Sequence, residues 1–237
     1  MHVPWDEVAR TTIPQLFGAL RAYRRVYSTN YDLLLYWASM ERGGKQFLDY
    51  FWGDGNTFDV FDTEIWETRQ AWTRILFIHG GIHLRRIRGG GTRKVLASDG
   101  SILEQFETAY AGDESPLLVS EGESADKLAS VTSSNYLSFA HQMFASHEGG
   151  LVIFGHSLRE EDDHLVLPMR SWRGNPVAIS MRPSEDEERI IQEQDRLRSR
   201  LSPMKDVVFF DSTTHPLGDP GLSVERRKRI FGRSLRR

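Results

Sequence analysis

Three short polar segments in this chain each follow an apolar run: STNYD at 28–32, HGG at 79–81 and GHS at 155–157. In open parallel sheets, ligands bind in the crevice beyond the carboxyl ends of the strands. Polar residues at three strand ends would therefore converge on one cleft, although they lie far apart in sequence. Gly80 and Gly155 would let a ligand approach the backbone closely, because glycine has no side chain.

Each segment also has a purely structural interpretation. Thr29, Asn30 and Asp32 are residue types that form turns and cap helices. His79, coming after an apolar strand, is typical of a core histidine whose polar atoms are satisfied. Ser157 could cap the next helix. For the first segment and for His79, each considered alone, the structural interpretation is favoured. Only the combination of the three segments indicates a site.

Other chemistries fit these residues less well. His79 and His83 have the spacing of a helical metal-binding pair, but the glycines between them disrupt a helix, and in a strand they would lie about 13 Å apart. The acidic stretch 162–164 suggests a cation, yet acids are ordinary in the first turn of a helix. Ser157 in GHSLR lacks the second glycine of a nucleophile elbow, which weakens a serine-hydrolase interpretation. The sequence therefore predicts no metal site.

The composition indicates a folded protein of reducing compartments. Hydrophobic residues make up 39% and aromatic residues 11% of 237 residues, which suffices for the core of one α/β domain. The chain has no cysteine, which excludes disulfides, thiolate zinc sites and cysteine nucleophiles. The N-terminal segment is not a signal peptide, and no apolar run is long enough to cross a bilayer. We therefore expect a cytoplasmic protein with no membrane partner.

Basic charge is concentrated at the C-terminus. The last fourteen residues, VERRKRIFGRSLRR, contain seven Lys or Arg and one Glu, although the whole chain has a net charge of −3. Such a tail can attract nucleic acid or an acidic partner, but a solvated end is the favoured interpretation because nothing else forms a basic groove. The prediction is one domain at 1–224 and a basic tail at 225–237, with nucleic acid not expected as a partner.

Hydrophobic periodicity predicts an α/β fold with a Rossmann-like parallel sheet, helices on both faces and a small β-hairpin and loop insertion. A structured loop is predicted at 41–62 and the hairpin at 81–98, with its turn at Gly89–Gly91. The predicted helices cover 12–24, 32–40, 101–111, 124–147, 159–172 and 184–201; the predicted strands lie around Val26 and within 74–80, 116–122, 151–158, 176–181 and 206–212.

The motifs TNYDLLLYW, HGGIHL and GHSL…DDHL, in this order, resemble the sirtuin-like NAD-binding superfamily, and most closely an uncharacterised bacterial branch of it. The resemblance spans about residues 12 to 215. It implies a single sirtuin-like α/β domain that takes NAD as substrate or ligand, without a metal. Since the chain has no cysteine for a zinc ribbon, the resemblance favours NAD cleavage, as in defence-associated relatives, over protein deacetylation.

The resemblance also implies roles for individual residues. His79 matches the base that acts toward a ribose hydroxyl, and Asn30 matches the residue that orients ribose or water. The remaining matched residues are expected to contact the cofactor; they are Thr29, Asp32, Gly80, Gly155, Ser157, Leu158 and Ser180. Cleavage of the nicotinamide–ribose bond needs positioning and a base of near-neutral pKa, and Asn and His meet those needs.

One element expected from the resemblance has no counterpart. The superfamily carries a Gly-rich strand–loop–helix before the first motif, where the helix N-terminus holds the pyrophosphate, and residues 1–28 contain nothing similar. The expectation is therefore a domain without its first strand–loop–helix. The alternative to an NAD+ hydrolase is a non-catalytic module that senses NAD or ADP-ribose, or a degenerate interaction module. Homo-oligomerisation is left open.

Overall fold

A computed structural model describes residues 8, 10–60, 69, 71–96, 102, 105, 114–119, 122–172, 176–203 and 206–222. The basic tail predicted at 225–237 lies outside the described residues, as does most of the helix predicted at 101–111. Within the described part of the chain, no helix is both long and apolar enough to span a bilayer.

The described chain alternates between helices and strands. The helices are α1 Thr12–Leu20, α2 Leu34–Met40, α3 Ser124–Thr132, α4 Asn135–Ala145, α5 Asp163–Arg170 and α6 Glu187–Leu201. The strands are β1 Arg25–Ser28, β2 Phe47–Leu48, β3 Thr73–Phe77, β4 Gly80–Arg86, β5 Thr92–Lys94, β6 Ser115–Leu118, β7 Leu151–Ile153, β8 Val177–Met181 and β9 Val207–Asp211.

The fold is α/β, as the sequence predicts. Two three-stranded sheets are parallel, with strand orders β1-β3-β2 and β7-β8-β9. A third sheet, β5-β4-β6, is antiparallel and contains the predicted hairpin, whose turn includes Gly89 and Gly90 at positive φ. The hydrogen bonds thus divide the parallel strands into two sheets, and β1 and β7 are each an edge strand.

Burial explains why the parallel strands are nearly continuous apolar runs. Ile75, Leu76, Phe77 and Ile78 at the end of β3 are at most 2% exposed, as expected for a strand covered on both faces. One core cluster joins β3 to α1 and α2, and a second cluster joins β7 and β8 to α5 and α6. These two clusters hold the two parallel sheets in place.

The long helix predicted at 124–147 is wrong as a single element, because the structure contains two helices there. Ser134 has extended backbone angles, and its hydroxyl accepts a hydrogen bond from the Leu137 N–H at the start of α4. The Ser133 hydroxyl donates to the carbonyl of Ser130 at the end of α3. Serine hydroxyls compete with the helical hydrogen bonds of the backbone, so a Ser-Ser pair ends one helix and caps the next.

Candidate functional site

A cavity of about 400 Å³ lies along β1 and β7. Every residue of both strands contributes to its wall, and α1 adds Leu16 and Leu20. The cavity therefore runs the full length of the two edge strands. Its volume falls in the range of ligand pockets, which is about 300–1,000 Å³.

Residues that follow the two strands line the carboxyl end of the cavity. Thr29, Asn30 and Asp32 follow β1, and Gly155 and His156 follow β7; all five line the cavity. The structure thus brings two of the three polar segments together across one opening. The third segment, which contains His79 and Gly80, does not line it.

Local hydrogen bonds hold the polar segment at 28–32 and leave the side-chain amide of Asn30 available. The Ser28 hydroxyl accepts from the Asn30 N–H at 3.1 Å, and Asp32 Oδ1 accepts from the Leu34 N–H at 2.9 Å at the start of α2. The Asn30 side chain is exposed and has no hydrogen-bond partner among the described residues. The Asp32 carboxylate is therefore engaged by the first residue of α2, whereas the Asn30 amide is available to a ligand.

The loop after β7 has a strained backbone that arginines of α6 support. Leu158 is 1% exposed and has φ +48, an uncommon conformation for a residue with a side chain. Its carbonyl accepts hydrogen bonds from Arg196 Nη1 and Arg200 Nε, both at 3.2 Å. Arg200 also donates to the Arg159 carbonyl at 2.6 Å. Two charged donors thus fix the position of this loop at the mouth of the cavity.

The two serines predicted as cofactor contacts lie beside this loop and do not line the cavity. The Ser180 hydroxyl, at the end of β8, accepts a hydrogen bond from the Gly155 N–H at 3.0 Å. Ser157 is exposed, and its carbonyl accepts from Arg196. In this structure Ser180 therefore supports the loop, and Ser157 lies outside the described cavity wall.

His79 is buried next to the cavity rather than in its wall. The side chain is 4% exposed, its Nε2 lies 2.8 Å from His164 Nε2, and Tyr31 stacks on it with ring centroids 6.4 Å apart. Burial, followed by the nearby charge of His164, lowers the pKa of His79 to about 3. His79 is therefore neutral at pH 7 and is a weaker base than the near-neutral group that the sequence predicts.

Polar groups lie between His79 and the cavity, but they do not form a continuous hydrogen-bonded chain, because His164 Nδ1 has no hydrogen-bond partner among the described residues. Beyond His164, Asp162 Oδ1 accepts a hydrogen bond from Lys127 Nζ at 3.0 Å, and Asp162 Oδ2 lies 4.0 Å from His156 Nε2. His156 Nδ1 accepts from the Leu158 N–H at 3.0 Å, so the proton of a neutral His156 ring sits on Nε2 and faces Asp162. Burial lowers the pKa of His156, and the Asp162 charge opposes that shift.

His156 is a cavity residue that the sequence reasoning missed. It lies inside the GHS motif, and its carboxylate partner Asp162 follows six residues later. The prediction assigned contacts to the glycine and serine of the motif and none to the histidine between them. The sequence does contain a signal for this pair, because an acidic residue follows the histidine-containing loop at the start of the next helix.

The glycine and second histidine of the HGGIH segment have structural roles. A Cβ on Gly80 would lie 2.0 Å from the Leu117 carbonyl oxygen. The absence of a side chain at Gly80 therefore lets strand β6, and not a ligand, approach the backbone. His83 is fully buried between Tyr36 and Phe77, and neither ring nitrogen has a partner in the described part of the chain. Among the described residues, no group of three or more His, Asp or Glu is placed to hold a metal ion.

The model of a protein family described as a domain of unknown function, DUF4917, matches residues 1–217. The chain belongs to this family. The match to DUF4917 covers every described helix and strand from α1 to β9, including both sides of the cavity. The comparison with curated proteins found no match.

Proposed function

We propose that this DUF4917 protein binds NAD at the carboxyl ends of β1 and β7 and hydrolyses its nicotinamide–ribose bond. The observation that supports the proposal is the shared cavity, in which Asn30 and Thr29 lie opposite Gly155 and His156. Parallel sheets bind nucleotides at such strand ends. The motif resemblance to the sirtuin-like superfamily supports the same ligand. The proposal includes a cytoplasmic location and a role in bacterial defence against phage.

The residue types around the opening suit a dinucleotide. The Asn30 amide has both donors and acceptors for ribose hydroxyls. Gly155 has φ +68, and a Cβ added there would meet nothing within 4 Å, which leaves room for a ligand against the backbone. Leu34 and Leu35 add apolar surface for a flat ring. Polar positioning groups and an apolar wall are what an NAD site requires.

The proposed reaction is a hydrolysis with a good leaving group. The bond from the ribose C1′ to the nicotinamide nitrogen breaks, nicotinamide leaves with the bonding pair, and water adds to C1′. The water loses one proton, and the products are ADP-ribose and nicotinamide. Because positive charge develops on the ribose, positioning by Asn30 matters more than a strong base. His79 would act as the base, as the motif resemblance implies.

A second function, binding without turnover, is favoured by the placement of His79. Its ring is almost fully buried, its Nε2 is occupied by His164, and its pKa is lowered to about 3 by burial. A base of this kind transfers protons poorly at neutral pH. In this second proposal the cavity senses NAD or ADP-ribose and does not cleave the bond.

Calorimetry with NAD and ADP-ribose, together with nicotinamide release, tests both proposals. The hydrolase proposal expects release by the wild type, a large loss in His79→Ala and Asn30→Ala, and no loss in the surface control Gln192→Ala. Heat of binding without nicotinamide release would overturn the hydrolase proposal and support the sensor. No heat with either ligand, from protein whose circular dichroism spectrum shows a folded α/β domain, would overturn both.

A further inference from the structure

The residues that line the cavity carry opposite charges at its two ends. Among the described lining residues, Arg25 is the only Lys or Arg, and Asp32 is the only Asp or Glu. Arg25 is the first residue of β1, and Asp32 follows the end of that strand. The cavity is therefore positive at its amino end and negative at its carboxyl end.

The Arg25 side chain lies on the face of β1 that packs against the end of α4. Alternate residues of a strand point to the same face, so Arg25 and Tyr27 share one. Tyr27 Oη donates to the Met143 carbonyl at 3.0 Å and lies 3.3 Å from His147 Nδ1. Burial lowers the pKa of His147, the Gly150 carbonyl raises it, and the charge of Arg25 lowers it again. The guanidinium therefore lies near this ring, which also lines the cavity.

No acidic side chain pairs with Arg25 in the part of the chain that the structure describes. The ion pairs of that part are formed by other residues. Glu148 is exposed and acts on His147, and it forms no ion pair with Arg25. Arg25 is partly buried, and a charge that is partly withdrawn from water is stabilised by an opposite charge. The amino end of the cavity thus favours an anionic group of a ligand.

The length of β1 decides which group of a dinucleotide reaches Arg25. The four residues of this strand span about 10 Å, at about 3.3 Å for each step. In the proposed binding mode the nicotinamide ribose lies at Asn30, and the pyrophosphate is joined directly to that ribose. The pyrophosphate therefore stays near the carboxyl end, and the adenosine ribose extends toward the amino end. That second ribose carries a phosphate monoester in NADP and an uncharged hydroxyl in NAD.

The charges of the cavity are complementary to those of oxidised NADP. The nicotinamide ring of the oxidised dinucleotide is a cation, and the cavity offers the Asp32 carboxylate at that end. The ribose phosphate is an anion, and the cavity offers Arg25 at the other end. A planar guanidinium can donate two parallel hydrogen bonds to a phosphate, and arginine accommodates this phosphate in α/β nucleotide sites.

We propose that Arg25 is a specificity-determining residue that binds the ribose phosphate of NADP, so that the site prefers NADP to NAD. The inference rests on the proposed function, because it takes the nicotinamide ribose to lie at Asn30. His147 assists through its position rather than by direct contact, since its Nε2 already lies 3.4 Å from the Gly150 carbonyl. The preference is thus assigned to a single guanidinium, which makes it testable by substitution.

Calorimetry with NADP and NAD tests the inference on the wild type and on matched arginine variants. Arg24→Gln is the control, because Arg24 is exposed and does not line the cavity. The wild type and the control should bind NADP about tenfold or more tighter than NAD, since only NADP forms charge-assisted hydrogen bonds with Arg25. Arg25→Gln should bind both dinucleotides with the NAD affinity of the wild type. Arg25→Lys keeps the charge and should keep part of the preference.

The pKa of His147, followed by proton NMR, is a second readout. The charged and titratable groups that act on this ring are Arg25, Glu148 and the neighbouring Tyr27. A phosphate at Arg25 offsets the positive charge there, so NADP should raise the pKa of His147 more than NAD does. An equal effect of the two dinucleotides would place the phosphate away from Arg25 and contradict the inference.

Other results would overturn the inference in ways that separate it from the proposed function. Equal binding of NAD and NADP by the wild type would overturn the inference and leave the proposed function standing. Equal weakening of both in Arg25→Gln would overturn it by placing the pyrophosphate at this residue, and a preference that survives Arg25→Gln would assign it elsewhere. Binding of neither dinucleotide would overturn the inference and the proposed function together. If circular dichroism shows that Arg25→Gln does not fold, the wild-type affinity ratio and Arg25→Lys decide.

Discussion

The Nε2 atoms of His79 and His164 lie 2.8 Å apart in the protein interior, with their rings stacked at 5.0 Å between centroids. One nitrogen must donate and the other accept, so the contact requires at least one neutral ring. Burial is the largest cause of the lowered pKa of both groups, to about 3 for His79 and about 4 for His164. Both rings are neutral in the folded protein at pH 7.

This pair makes stability depend on pH. In the unfolded chain both histidines return to a pKa near 6.5 and bind protons that the folded protein excludes. Stability from these groups is therefore full above about pH 6.5 and falls as the pH decreases toward 4. Urea unfolding at a series of pH values should show this decline. The titratable and charged groups that face the pair are Lys127, Asp162, His156 and His141.

A double variant isolates the contribution of the pair. His79→Gln with His164→Gln keeps a hydrogen-bonding partner at both positions but removes the titration. The decline of unfolding free energy between pH 7 and pH 4.5 should become shallower in this variant. An unchanged slope would assign the pH dependence to other groups, such as the fully buried His83, whose pKa is also lowered by burial.

Two glycines at positive φ should respond very differently to alanine. Gly80→Ala places a Cβ 2.0 Å from the Leu117 carbonyl oxygen and should lower the unfolding free energy by about 3 kcal/mol or more, since β4 and β6 must separate. Gly155→Ala meets nothing within 4 Å and should cost only the backbone strain of about 1–2 kcal/mol. Urea denaturation measures both. Equal losses would contradict the structural role of Gly80.

The Tyr136 hydroxyl supplies a hydrogen-bond partner for β3 beyond the end of the short strand β2, which pairs only with Thr73 and Arg74. It accepts a hydrogen bond from the Phe77 N–H at 2.9 Å, and its ring is fully buried. Tyr136→Phe leaves that N–H unpaired and should lower the unfolding free energy by about 1–3 kcal/mol. Tyr23→Phe is the control, because Tyr23 is partly exposed and water can replace its hydroxyl. The idea fails if both variants lose the same amount.

Substitution by lysine should lower the unfolding free energy more at Arg200 than at Arg198, which is also on α6. Its guanidinium contacts the carbonyls of Leu158 and Arg159 and, at 2.6 Å, Asp163 Oδ1, whereas lysine offers a single ammonium. Arg200→Lys should lower the unfolding free energy by about 1–2 kcal/mol. Arg198→Lys, in an exposed pair, should change it by less than about 0.5 kcal/mol. Similar losses would show that the loop does not depend on the arginine geometry.

Most of the secondary structure could be predicted because it depends on local patterns. The apolar run ending at Ile78 is buried on both faces, and the helix predicted at 32–40 is present as α2, whose N-cap is Leu33 rather than Asp32. The break at Ser133-Ser134 was missed because apolar periodicity continues through it. The hydroxyls of Ser133 and Ser134 end α3 and cap α4, and a pattern of apolar residues contains no information about them.

The site could be predicted only in part. Asn30 and Gly155 line one cavity, as expected from polar residues at parallel strand ends. His79 also follows such a strand, yet its ring turns toward His164, because α5 places a second imidazole within hydrogen-bond distance. The direction of a side chain at a strand end depends on what packs beside it, and that neighbour lies 85 residues further along the chain.

The sequence alone determined most of the strands and helices and which polar residues stand at the strand ends, because those properties follow from neighbours a few residues apart. Only the tertiary structure decided that β1 and β7 border one cavity, that Leu117 fills the space above Gly80, and that His79 is paired and neutral. The reason is physical: pairing of strand edges and burial of charge depend on contacts between distant segments, which local patterns do not encode.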